Sequence, residues 1–139
     1  MISPTGQRVR QKDKWGSGAY GARRDGGSRM HRGTDYICHP GQPVVCPIDQ
    51  ALVVREARPY AGGSYSGVLL RAKRIEIKLF YLEPLLDLYG RTVRMGDVIG
   101  HAQDISRKYP GIIPHVHLQI ESMDCALLCD LHAAVQQLP

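Results

Sequence analysis

Two short stretches, far apart in the sequence, carry side chains that bind metal ions. The first is His31-Arg-Gly-Thr-Asp35 and the second is His115-Val-His117. Imidazole nitrogens and carboxylate oxygens are ligands that zinc takes in proteins. A lone histidine or a single His-x-His pair is more often a surface or core feature than a ligand. The joint occurrence of the two stretches therefore predicts a zinc site, and the chain between them is the scaffold that brings them together.

The context of the second stretch predicts a β-strand. Side chains two residues apart in a strand project from the same face, so His115 and His117 would lie side by side. Around them apolar residues alternate with polar ones, which gives one apolar face and one polar face. The apolar positions are Val116, Leu118 and Ile120.

The first stretch predicts a turn. His31 and Asp35 are four residues apart, and Gly33 lies between them. Glycine adopts backbone conformations that other residues avoid, so Gly33 would let the chain turn and aim both side chains at one point.

Composition limits the class of protein. With 139 residues, the chain is expected to form one domain that buries enough surface to fold without a metal. No apolar run approaches the roughly 20 residues of a membrane span. Eighteen Lys and Arg against thirteen Asp and Glu give a net charge of +5. This charge favours acidic partners such as sulfated glycans, but no basic stripe interleaved with aromatic residues indicates nucleic acid.

The order of apolar and turn-forming segments predicts an all-β domain over residues 31–122. Seven segments have the alternation or the short apolar runs of strands: residues 34–38, 43–46, 51–58, 67–72, 75–82, 98–102 and 115–121. The long loop 103–114 is expected to lie beside any cleft. Residues 1–30 read as an irregular, mostly surface arm anchored by Trp15, with a cationic arm for a polyanion as the alternative.

The C-terminal segment, residues 123–139, predicts a short helical tail. Asp124 can cap a helix whose leucines fall near one face, so we interpret it as a packing helix, with a membrane or partner helix as the alternative. Cys38 and Cys46 flank a turn that a disulfide could span, and free buried thiols are the other reading. The pairing of Cys125 and Cys129 stays open.

Three motifs resemble the lysostaphin-type zinc endopeptidases, which cut peptide bridges of bacterial peptidoglycan. They are the His-x-Gly-x-Asp of residues 31–35, the turn and strand of residues 93–100 and the Pro-His-Val-His of residues 114–117. The likeness extends over about residues 13–121 and is nearest to a vertebrate subgroup, that of leukocyte cell-derived chemotaxin 2. It implies the antiparallel β-sheet fold of these peptidases. Segments typical of the subgroup are residues 16–20, 32–38, 58–60, 79–84 and 108–112.

The resemblance also implies roles for individual residues. It assigns zinc to His31, Asp35 and His117, and three protein ligands leave a fourth tetrahedral position open, as in hydrolytic zinc sites. It places His115 beside the metal as a proton-handling group. The enzymes carry a second catalytic histidine in a Tyr-x-His-Leu segment, and the corresponding position here is Tyr81, whose phenol cannot act as a base near neutral pH.

Two functions follow from this resemblance. The first is a zinc-containing, non-catalytic, secreted signalling protein that binds cell-surface receptors and attracts neutrophils, with His115 a vestigial base. The first residues lack the apolar core of a signal peptide, so secretion would need a targeting segment outside this sequence. The second is an active endopeptidase for glycine-rich or peptidoglycan peptides, with Tyr81 as an oxyanion donor. A metal-free β-domain with structural histidines is a third possibility.

Overall fold

The computed structural model describes residues 1–123. The predicted helix from Asp124 onwards lies outside these residues, as do Cys125, Cys129 and His132. Residues 1–123 form eleven strands: β1 (Arg23–Arg24), β2 (Arg29–Met30), β3 (Thr34–Ile37), β4 (Pro43–Val45), β5 (Ala51–Glu56), β6 (Gly67–Arg71), β7 (Ile75–Phe80), β8 (Leu82–Pro84), β9 (Thr92–Val93), β10 (Val98–Ala102) and β11 (His115–Met123). Short 3-10 turns occupy Asp25–Gly27 and Ile105–Arg107, and no helix in this part of the chain is long and apolar enough to cross a membrane.

Antiparallel pairing organises these strands into three sheets. The largest has six strands in the order β3-β11-β7-β6-β5-β9, a second has the order β4-β10-β8, and β1 pairs with β2 in a small ribbon. The prediction of an antiparallel all-β fold is confirmed, and each of the seven predicted strands is present. The short strands β1, β2 and β9 were not predicted, because segments of two residues are too short to show an alternation.

The two larger sheets contribute to one hydrophobic core. Alternate residues of β7, Ile75, Ile77 and Leu79, are buried, as period-two patterning requires. In β11, Val116 and Leu118 are buried in the same core, which confirms the predicted apolar face of that strand.

The predicted strand 75–82 is broken at Tyr81. Its φ of 72° lies in the left-handed region, which is unfavourable for a bulky side chain, so the extended conformation stops there. The Tyr81 amide donates to Ser66 O at 2.8 Å, and its carbonyl accepts from the Gln103 amide at 2.9 Å. The chain then continues as β8 in the three-stranded sheet, so this residue is where the chain passes from one sheet to the other.

The N-terminal arm is more firmly attached than its composition predicts. It runs along β3, where the Arg10 amide donates to Asp35 O at 2.7 Å and the Ile37 amide donates to Arg8 O at 2.9 Å. The Arg10 side chain is only 2% exposed, so the expectation of a mostly surface arm is wrong at this residue. Trp15 does anchor the arm, because its indole N–H donates to Pro110 O at 3.0 Å.

Cys38 and Cys46 are both free and buried. The disulfide that the intervening turn would allow is therefore not formed, and the free-thiol interpretation holds for these two residues. Burial raises the pKa of the Cys38 thiol to about 12, which keeps it protonated and unreactive.

We predict that Gly67→Ala destabilises the fold, because an added Cβ would lie 2.0 Å from Leu79 O and 2.9 Å from Ala57 O. We expect the free energy of unfolding in urea to fall by about 1–3 kcal/mol, the usual cost of overpacking. Gly62→Ala is the control, since nothing lies within 4 Å of that position. Equal stability of the two variants would show that β6 and β7 do not approach as closely as described.

Candidate metal centre

The register of β11 places its second histidine at the centre of the site. His117 pairs with Asp35 on β3 and with Phe80 on β7, and residues directly opposite one another project from the same face of a sheet. The Phe80 ring stacks on the His117 imidazole, with centroids 5.6 Å apart and planes 11° apart. Hydrogen bonding between the strands therefore fixes the position of the carboxylate beside the imidazole.

His31 reaches the same point from the segment between β2 and β3. Its amide donates to Ala22 O at 2.7 Å, and its carbonyl accepts from the Gly21 amide at 2.9 Å. Its ring Nδ1 lies 3.0 Å from Ala19 O, and because a carbonyl only accepts, Nδ1 carries the proton. The Nε2 atom then presents a lone pair to His117.

Three ligand atoms converge in this way. His31 Nε2 lies 3.1 Å from His117 Nδ1 and 3.2 Å from Asp35 Oδ1, and His117 Nδ1 lies 2.8 Å from Asp35 Oδ1. A tetrahedral zinc ion with bonds of about 2.0–2.1 Å has its ligands about 3.3 Å apart. The spacing of the three atoms is therefore close to that of three corners of a zinc tetrahedron.

The orientation of His117 agrees with this arrangement. Its Nε2 lies 3.3 Å from Gln119 Oε1, and the nitrogen of the same amide donates to Glu121 at 3.0 Å, which turns the amide oxygen towards the ring. Nε2 thus donates, and Nδ1 faces His31 and Asp35 as an acceptor. In metal-binding histidines, a hydrogen bond from the ring nitrogen that points away from the metal holds the ring in one tautomer in the same way. Three converging acceptors are left for a cation to satisfy.

The Asp35 carboxylate is buried and divided between two sets of partners. Oδ1 faces the imidazoles, while Oδ2 accepts from Arg10 Nη2 at 3.0 Å and from Arg10 Nε at 3.3 Å. Burial alone would raise the pKa of Asp35, but the contacts with His117 and His31 and the proximity of His115, which favour the carboxylate when these rings carry a second proton, lower it well below its usual value. The carboxylate is therefore an anion, which is the form that binds metal.

Gly33 serves a different purpose from the predicted one. Its backbone is not in the left-handed region, so the turn itself does not require glycine. A Cβ at this position would lie 2.6 Å from the His117 ring and 2.3 Å from Leu118 O. Glycine is needed because the imidazole packs directly against the backbone.

His115 lies beside the three converging atoms. Its Nδ1 donates to Ile113 O at 2.8 Å, and its Nε2 lies 3.5 Å from Asp35 Oδ2. Burial lowers the pKa of His115 below its usual value, although the Asp35 carboxylate opposes this effect. The ring is therefore neutral near pH 7 and presents an acceptor nitrogen towards the site.

Tyr81 lies next to His115, with the two rings edge to face and their centroids 5.5 Å apart. Its hydroxyl is 3.0 Å from the Tyr60 hydroxyl, which in turn is 3.0 Å from the Tyr109 hydroxyl. Burial raises the pKa of Tyr81 to about 12, so the phenol keeps its proton. Tyr109 belongs to the loop 103–114, which lies beside the cleft as expected.

These residues line a cleft of about 710 Å³. The left-handed backbone at Tyr81 lets Phe80 and Tyr81, although consecutive, both line it. His39 and His101 are exposed and are not among the residues that line the cleft.

Two residues of the site were missed by the reasoning from sequence. Arg10 supports Asp35, and Gly18 allows the arm to approach, because a Cβ there would lie 2.7 Å from Arg10 Cβ and 2.8 Å from Asp35 Cβ. Both lie in the segment interpreted as an irregular arm. Gly18 lies in the segment 16–20 that resembles the vertebrate subgroup, but its contact with Asp35 could not be read from that motif. No local pattern marks Arg10, since its role depends on contact with a strand that follows later in the chain.

Comparison with known proteins agrees with this geometry. No family model matches the chain. Leukocyte cell-derived chemotaxin-2 of Mus musculus is 30% identical over 119 residues, which cover 84% of this chain and 76% of that protein. The chain belongs to the leukocyte cell-derived chemotaxin-2 family.

Further likenesses extend this result. Myeloid protein 1 of Gallus gallus is 33% identical over 119 residues, and the matched part is 36% of that longer protein. Among solved structures, the catalytic domain of lysostaphin from Staphylococcus simulans aligns with a TM-score of 0.54 and 24% identity, over 76% of this chain and 77% of that one. This likeness shows that the chain has the fold of the lysostaphin catalytic domain.

We predict that Arg10→Met strongly destabilises the protein, because it leaves the buried Asp35 anion without its cationic partner. Removing one member of a buried ion pair costs about 3–5 kcal/mol. The measurement is urea denaturation of metal-free protein in a chelator, with Arg8→Met as the control, since Arg8 is exposed. A loss no larger than that of the control would contradict the role given to Arg10.

Proposed function

We propose that this protein is a zinc-binding, non-catalytic, secreted signalling protein that acts by binding receptor proteins at the cell surface. The observation that carries the proposal is the phenol of Tyr81 beside His115, in a cleft whose floor has the donor set of a zinc site. The name of the murine relative, leukocyte cell-derived chemotaxin-2, supports a role in chemotaxis.

His31, Asp35 and His117 would hold the zinc ion, one per chain. The support for this assignment is the triangle of acceptor atoms with edges of 2.8–3.2 Å and the outward hydrogen bonds that fix both tautomers. A bound zinc ion supplies positive charge and links the segment before β3 to β11. In a signalling protein this link would stabilise the shape of the cleft.

Peptide hydrolysis needs groups that exchange protons near neutral pH. His115 is a neutral, buried imidazole and could serve as one such group. Tyr81 could not serve as the second, because its pKa is raised to about 12 and its hydroxyl is bonded to Tyr60. The cleft therefore has one proton-handling residue where turnover would need two.

The second candidate is an active zinc endopeptidase for glycine-rich or peptidoglycan peptides. The lysostaphin-type fold favours it. In that case His115 would be the base, and the Tyr81 hydroxyl would leave Tyr60 to donate to the developing oxyanion. The two experiments below separate the candidates.

We predict one zinc ion per chain in protein purified without added metal, measured by mass spectrometry of the metal content. His31→Ala and His117→Ala should each lose the metal and melt at a lower temperature, because metal binding stabilises only the folded chain. His39→Ala is the control, as this histidine is exposed outside the cleft. Full zinc content in His31→Ala would overturn the assignment.

We predict that the natural protein does not cleave pentaglycine and that Tyr81→His introduces zinc-dependent cleavage. A positioned general base typically contributes about 10²–10⁴-fold to the rate, and histidine tolerates the left-handed backbone at this position better than most residues do. Tyr81→Phe is the control and should stay inactive. Cleavage by the natural protein at a rate that Tyr81→His does not raise would favour the endopeptidase.

A further inference from the structure

One wall of the cleft carries an excess of positive charge. Among the described residues that line the cleft, the cations are Arg10, Lys14, Arg23, Arg24, Arg29 and Arg32. The only carboxylate in the described lining is Asp35, which is already committed to Arg10 and to the imidazoles. Three of the other cations form what we call the arginine wall: Arg23, Arg24 and Arg32.

The arginine wall places positive charges close together. On the β1–β2 ribbon, Arg24 lies directly opposite another arginine, Arg29. Arg24 donates to the carbonyl of Ser17 at 2.7 Å. Among the side chains that the structure describes, no carboxylate forms an ion pair with Arg23, Arg24 or Arg32.

The electrostatic surroundings of Arg24 reflect this crowding. Burial lowers the pKa of its guanidinium below the usual value. The nearby cations Arg10 and Arg29 lower it as well, while the carboxylates Asp35 and Asp13 oppose the shift. Positive charge in a concave, partly buried site produces a stronger field than the same charge on an open surface.

Phenols also line the cleft. The hydroxyls of Tyr60, Tyr81 and Tyr109 form a hydrogen-bonded chain there. The Lys108 ammonium lies 4.2 Å from the centre of the Tyr60 ring. An occupant of the cleft would therefore meet both guanidinium groups and phenols.

We propose that the cleft binds an acidic peptide segment of a partner protein, whose carboxylates pair with the arginine wall. The inference rests on the proposed function, since it names the ligand class of a binding cleft. Guanidinium groups pair with carboxylates through two parallel hydrogen bonds, and a metal ion at the floor adds positive charge. The cleft of about 710 Å³ has the size of a ligand pocket and an aromatic side, which suit a peptide better than a long sulfated glycan.

The probe is a fluorescently labelled hexapeptide of alternating Asp and Glu, and the matched control peptide has Asn and Gln at the same positions. Binding is measured by fluorescence anisotropy with zinc-loaded protein at physiological ionic strength. We expect the acidic peptide to bind at least tenfold more tightly than the amide peptide. We expect the triple variant Arg23→Gln, Arg24→Gln, Arg32→Gln to lose at least tenfold in affinity.

The control variant removes the same charge elsewhere. Arg55→Gln, Arg91→Gln, Arg94→Gln changes three exposed arginines that do not line the cleft, and we expect it to lose no more than about twofold, as long-range attraction alone would give. Equal losses in the two triple variants would overturn the inference. The inference would also be overturned if heparin bound tightly and the arginine-wall variant lost heparin binding but kept its affinity for the acidic peptide.

The same samples separate this inference from the proposed function. Zinc content and peptide integrity are measured by mass spectrometry after each titration. A zinc-loaded, uncleaved sample without preference for the acidic peptide refutes the inference alone. Missing zinc or a cleaved peptide refutes the proposed function. In that case the affinities of the two triple variants still show whether the acidic peptide binds to the arginine wall.

Discussion

The structure depends on one buried carboxylate. Asp35 takes hydrogen bonds from Arg10 on one oxygen and faces His31 and His117 with the other, so the arm, β3 and β11 meet at a single anion. A buried charge is tolerated only when it is paired and hydrogen-bonded. The glycines at positions 18 and 33 follow from this requirement, because both let backbone approach the carboxylate and the imidazole more closely than a side chain would allow.

Much of the fold and of the candidate metal centre could be predicted from the sequence, because side chains along a strand alternate between its two faces. The alternation around His115 and His117 predicted the strand, its apolar face and the pair of imidazoles, whereas the choice of His31, Asp35 and His117 as ligands came from the resemblance to lysostaphin-type peptidases. Features that depend on long-range packing could not be predicted. Arg10 looks like one of many scattered basic residues, and the break at Tyr81 lies within an apolar run that reads as a continuous strand. Gly33 was noticed but for the wrong physical reason.

The cleft combines a floor of metal-binding residue types with walls of another kind. Tyr81 contributes a phenol that keeps its proton, and its hydroxyl is hydrogen-bonded through Tyr60 to Tyr109 in the loop beside the cleft. The arm supplies a wall of guanidinium groups around the same space. In the proposed function, the metal supplies shape and charge, and the side chains around it hold an anionic ligand.

The central claim is that two distant segments meet around one zinc ion. Anomalous diffraction from crystals of protein purified without added metal, recorded on both sides of the zinc absorption edge, tests it most directly. We predict a single zinc peak about 2.0–2.2 Å from His31 Nε2, Asp35 Oδ1 and His117 Nδ1, with no sulfur ligand. Two results would contradict this claim. One is a zinc peak on cysteine sulfur, and the other is an ordered arrangement of the three side chains around a position without anomalous signal.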